Sequence, residues 1–81
     1  MSIQNEMRRV RRTNLEHAAK RLRFEIEGLT KTICINLDTS LCRPEDLPIS
    51  EVDSQMDELK AKWAELLQAL SEIARIDEEL K

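Results

Sequence analysis

Residues 49–80 read ISEVDSQMDELKAKWAELLQALSEIARIDEEL, and steps of three and four along them pass through Ile49, Val52, Met56, Leu59, Trp63, Leu66, Leu70, Ile73, Asp77 and Leu80. All of these but Asp77 are apolar, which is the heptad seam of one long amphipathic helix. Ser50 is placed to cap its N-terminus, with Asp53 three residues on as an acidic partner and Glu51 adding negative charge to the first turn. Helix 2 is thus expected from about residue 50 to about residue 80, with Trp63 buried in the middle of its seam.

Working back toward the N-terminus, residues 38–49, DTSLCRPEDLPI, contain both prolines of the chain. Arg43 followed by Pro44 reads as a helix stop, because proline biases the residue before it to an extended conformation. Pro48 restricts the entry to helix 2, Leu41 and Leu47 are placed to cover the apolar end of a helix pair, and Asp38, Glu45 and Asp46 form an exposed acidic tip. Solubility is sufficient reason for that tip.

Upstream of this connector, Leu15, Ala19, Leu22, Ile26, Leu29 and Ile33 form a second stripe at helical spacing. Helix 1 is expected from about residue 4 to about residue 37. Arg12, Glu16 and Lys20, then Arg23, Glu27 and Lys31, alternate in charge at four-residue spacing and suit a solvated face. Gly28 interrupts helix 1, where glycine either weakens the helix or marks a close approach.

The composition agrees with this reading. Of 81 residues 41% are hydrophobic and 36% charged, with 2% aromatic and one glycine, the balance of a long-helix protein and too poor in β-formers for a sheet. Two helices joined by a connector of about a dozen residues fold back on each other, so the fold class is all-α, an antiparallel two-helix coiled-coil hairpin forming a single domain over 1–81. A register with Leu37 beside Ser50 sets Arg8 and Arg9 level with Glu79 and Glu78, and brings Arg11 and Arg12 within a turn of Asp77. Charge supports that direction. Residues 1–31 hold eight basic groups against four acidic, +4, and residues 32–81 hold five against twelve, −7.

One hairpin leaves apolar surface over. Leu67, Ala69, Ala74 and Ile76 flank the seam of helix 2, making an arc wider than one neighbouring helix covers. On helix 1 a weaker line runs off the main stripe through Ile3, Met7, Val10, His17, Phe24 and Ile35. A chain this short has little core to spend on stability. A homodimer, two hairpins in a four-helix bundle with two-fold symmetry, accounts for both surfaces, and Ile3, Met7, Val10, His17, Phe24 and Ile35 are its expected association face.

Catalytic chemistry finds no support in the residues. His17 is the one histidine, Cys34 and Cys42 stand at no metal-ligand spacing from it or from each other, and five serines share that single potential base. One glycine makes no phosphate-cradling loop. No metal, no cofactor and no enzymatic activity are expected. No apolar run reaches the ~20 residues of a membrane span and the first residues lack an apolar signal core, so a cytoplasmic location with Cys34 and Cys42 as free thiols is expected. The resulting function is a small protein–protein interaction module, an adaptor, chaperone-like accessory or regulatory subunit, acting through helix faces on a protein partner. The alternative is a nucleic-acid-binding bundle gripping phosphates with Arg8, Arg9, Arg11 and Arg12. The acidic total and the nearby Asp77, Glu78 and Glu79 weigh against it.

Overall fold

The computed structural model describes residues 3–80, leaving residues 1, 2 and 81 of the expected domain outside the description. The described residues form helix α1, Ile3–Asn36, a single 3-10 turn, Pro44–Asp46, and helix α2, Ile49–Leu80, with no strand among them. The two helices pack along their length into a rod of 63 × 15 × 15 Å. They run antiparallel, as the ties between them demonstrate. Arg8 Nε meets Glu79 at 3.0 Å, Lys62 Nζ meets Glu25 at 2.7 Å, and Asn36 Nδ2 donates to Gln55 Oε1 at 3.0 Å.

The helix ends lie near the expected positions, for partly different reasons. α1 closes at Asn36, well before Pro44, where Leu37 N–H still reaches the Ile33 carbonyl at 3.0 Å and Asp38 N–H reaches the Ile35 carbonyl at 3.2 Å. Asp38 Oδ1 then accepts from Ser40 N–H at 2.9 Å and from Ser40 Oγ at 2.7 Å. This side-chain turn offers the backbone an alternative to another helical turn, and stops the helix without proline. The two Ser40 bonds, the hydroxyl first, hold the Asp38 carboxyl below the usual carboxylate range. Arg43 and Pro44 instead open the 3-10 turn, closed by Asp46 N–H to the Arg43 carbonyl at 2.9 Å.

α2 starts earlier than the Ser50 cap implied. Val52 N–H bonds the Pro48 carbonyl at 2.9 Å, so the ladder begins at Pro48 and Ser50 lies inside the first turn. Leu41 does not cover the end of the pair: it is exposed, while Leu47 is half-buried. Gly28 has nothing within 4 Å of the position a Cβ would take, so it marks no close approach of the helices.

The core is thin. Ala19, Leu22 and Ile33 of α1 meet Val52, Ala69 and Ile76 of α2 as the buried apolar residues, and Leu15, Ile26, Leu29, Leu59, Leu66 and Ile73 flank them half-covered. The α1 stripe is therefore the one expected from spacing. On α2 the packing line is rotated. It runs through Val52, Gln55, Leu59, Lys62, Leu66, Ala69, Ile73, Ile76 and Leu80, all buried or half-buried. Ile49 and Trp63 lie outside it, and Trp63, expected in the core, is 56% exposed.

The ties between the helices supply the physical reason for the rotation. The apolar arc of α2 is too wide for one neighbour, so either flank of the Val52–Leu59–Leu66–Ile73 line could close on α1. On one flank Lys62 finds Glu25, Gln55 finds Asn36, and Glu72 accepts from Arg11 at 3.3 Å. Those pairs satisfy polar groups that would otherwise be half-desolvated against α1, and Ala69 and Ile76 on the same flank leave room for close approach. Met56 and Leu70, themselves half-buried, and the exposed Trp63 are turned to the other flank.

Candidate interaction surface

Two sides of the hairpin result, divided by the seam. On the closed side, Glu25 is held by Lys62 Nζ at 2.7 Å and by its own-helix neighbour Arg21 at 3.0 Å. The hydrogen bond from Lys62, followed by that from Arg21, lowers the Glu25 pKa from its ordinary value; the same Glu25 bond raises that of Lys62. Both groups are ionised at neutral pH, and the pair acts as a latch rather than an acid–base couple.

On the open side the seam is uncovered except near the chain ends, where Arg12 reaches across to Asp77. One groove, of about 330 Å3, is lined by Ile26, Thr30, Met56, Leu59, Lys60 and Trp63. A second, of about 370 Å3, follows along the rod between Ala19, Arg23, Leu70 and Ile73, with Glu16 and Lys20 at its rim. Trp63 and the 45% exposed Leu67 belong to this side, and Ile49 continues it toward the connector. Single exposed apolar residues are ordinary on any surface, whereas an apolar row carrying a tryptophan along a helix is characteristic of contact surfaces.

The six residues placed on an association face from sequence are all exposed: Ile3, Met7, Val10, His17, Phe24 and Ile35. Phe24, at 78% exposure, is the barest large apolar side chain of the hairpin's described residues. Ile3, Met7 and Val10 share a shallow hollow of about 410 Å3 with Glu6, Arg11 and Asn14. Arg11 turns to Glu72 on the closed side, so this hollow does not adjoin the Trp63 grooves. The excess apolar surface thus lies on two separate faces rather than the one association face expected of a homodimer. Sequence reasoning missed the open-side row because it put Trp63 inside. A usable signal was present, since Lys62 stands one position before Trp63, level with Glu25, and Gln55 lies within a turn of Asn36.

The arginine cluster is largely engaged. Arg8 holds Glu79 and bonds Asn5 Oδ1 at 3.1 Å, Arg11 holds Glu72, and Arg12 grips Asp77 through Nε and, at 3.3 Å, through Nη2 while also meeting Glu16. The Asp77 bond is the first cause that raises the Arg12 pKa further above its ordinary value. Asp77, the polar residue in the α2 heptads, is thereby matched as its position predicted, by Arg12 alone of the two arginines placed near it. Phosphates approaching this end would compete with carboxylates already bound.

Cys34 is exposed and Cys42 half-buried, both as free thiols. Among the described residues no three of His, Cys, Asp and Glu converge as a metal site would require, and no helix is long and apolar enough to cross a membrane. The geometry offers hydrophobic contact flanked by charge, the chemistry of helix docking. Comparison with protein-family models, with curated proteins and with solved structures gives no match for this chain.

Proposed function

We propose that this protein is a small non-catalytic interaction module that self-associates into a four-helix bundle and holds a protein partner against its helix faces. The observation that carries the reading is the uncovered apolar row of α2 in a rod only 15 Å thick. Two helices of this width shield one seam, and the half-covered side chains beside it gain stability when further helices pack on them. With two separate apolar surfaces, the open side of the seam and the back of α1, one module can bind its own kind and still present Phe24, Val10, Met7 and Ile3 to a different protein.

Retention of proteins from the native host on immobilised chain tests this reading. A partner retained by the parent protein, resistant to nuclease, and lost with Phe24→Glu is the expected result. Retention of nucleic acid that falls steeply between low and moderate salt, and falls again when Arg8, Arg9, Arg11 and Arg12 are neutralised, would replace it with the phosphate-binding alternative.

A further inference from the structure

The open side of the seam has a specific occupant. We infer that the Trp63 groove is covered by the same groove of a second copy of this chain, with the two hairpins antiparallel and their connectors at opposite ends of the bundle. The inference rests on the interaction-module reading and assigns its self-association to one face and one orientation.

Surface area is the first argument. The chain exposes 6247 Å2, whereas a compact monomer of 9.5 kDa presents about 5000 Å2. The excess, on the order of 1200 Å2, exceeds the ~800 Å2 per partner of a standard-size protein interface and falls in the range of permanent homodimers. The open side has the chemistry to take up part of this excess. Met56, Trp63, Leu67 and Leu70 run along it, and the grooves of about 330 and 370 Å3 open to it, while a smaller one of about 250 Å3 beside Leu22 and Ala69 lies on the closed side.

Self-complementarity is the second argument. A two-fold interface sets each residue against a symmetry mate, so a face of one charge sign repels itself. The rim here mixes signs: Glu16, Lys20 and Arg23 line the upper groove, Lys60 the lower, and Glu27 stands two turns beyond Lys20 on the same side of α1. With the two-fold axis at the level of Trp63, the two indoles meet at the centre, Met56 of one copy lies level with Leu70 of the other, and Lys20 lies level with Glu27 of the second copy. Each of the last two pairings occurs twice.

Charge at the rod's ends decides the direction. Residues 37–53 hold Asp38, Glu45, Asp46, Glu51 and Asp53 against Arg43. Two hairpins stacked with connectors together would bring these acidic ends within about a Debye length, ~8 Å at physiological salt. Reversing one hairpin separates them and sets each beside the opposite end of its mate, where Arg8 and Arg12 already balance Glu79 and Asp77.

Sedimentation equilibrium at micromolar concentration with two variants tests the face. The parent chain should sediment at twice 9.5 kDa. Trp63→Glu and, independently, Leu67→Lys should fall to the monomer mass with their far-ultraviolet helicity retained, because both side chains lie outside the intramolecular core. Phe24→Glu should remain dimeric. A dimer that survives Trp63→Glu and Leu67→Lys but dissociates with Phe24→Glu overturns the assignment and leaves self-association standing. A monomeric parent chain overturns both, and leaves the groove to a different protein. Orientation is read separately from a spin label on Cys42 in a Cys34→Ser background. Antiparallel hairpins place the two labels roughly 50 Å apart at ~1.5 Å of helix rise per residue, and a separation under about 25 Å would sink the arrangement.

Discussion

The two sides of the hairpin seam are built from neighbouring residues of one helix and end in opposite states. On the closed side Lys62, Ala69 and Ile76 meet α1 beneath a row of ties, Glu25 to Lys62, Asn36 to Gln55 and Arg11 to Glu72. On the open side Trp63 and Leu70, each one residue further along, stand beside grooves. Apolar content alone would have closed the second side, since tryptophan and leucine bury more surface than alanine and lysine. Polar groups chose otherwise. A lysine and a glutamine set between two helices must find partners, and their partners lie on one flank only.

The comparison breaks most visibly in the core. Leu22, 3% exposed, meets the closed side, and Leu22→Ala should cost about 2–5 kcal/mol in urea denaturation at concentrations where the hairpin is monomeric. Leu67→Ala, under the same conditions, should change the midpoint far less. Equal losses would mean that both flanks are covered within one chain, and the distinction between them would collapse.

Gly28 lies exposed in α1, and no neighbour meets an added Cβ there. Gly28→Ala should therefore stabilise the helix by up to ~1 kcal/mol, measured as a rise in the same urea midpoint. That variant also makes a firmer background in which to alter either side. A loss of stability would reveal a contact on the back of α1 and would redraw the map of covered faces.

The smallest effect is expected in the pH dependence of the closed side. The Glu25 carboxyl titrates below its ordinary 4.5, chiefly through the Lys62 bond, so its contribution is present above that ordinary value and is lost as pH falls through the lowered folded value. Lys62 titrates above its ordinary 10.5, chiefly through the Glu25 bond, so its contribution is present below that value and is lost as pH rises through the raised one. The latch thus acts in full between these limits. Glu25→Gln should flatten the acid limb of a stability–pH curve below about pH 4.5, and an unchanged limb would show that solvent screens the pair completely.

Much of the architecture was legible before any coordinates. The heptads from Val52 to Leu80, the stripe from Leu15 to Ile33 and the charge asymmetry of the chain lead to two helices, to their antiparallel direction and to a register that sets Arg8 against Glu79 and Arg12 by Asp77. Helix periodicity and short connections are local physics, and local physics is written along the chain. The end of α1 was legible to within a residue, but its cause was harder to read, because an aspartate with a serine two residues on competes quietly with a conspicuous proline. The exposure of Phe24 and its companions was also legible, since they lie off the stripe.

The sequence by itself determined that α2 carries more apolar surface than α1 can cover. Only the tertiary structure decided which part of that arc stays open. Periodicity reports the centre and width of an apolar arc, but an arc wider than its partner has two ways to close that differ by a rotation of about half a residue's turn. The choice falls to pair interactions between residues far apart in the chain, Glu25 with Lys62 and Asn36 with Gln55, and such pairs exist only once the two helices lie side by side.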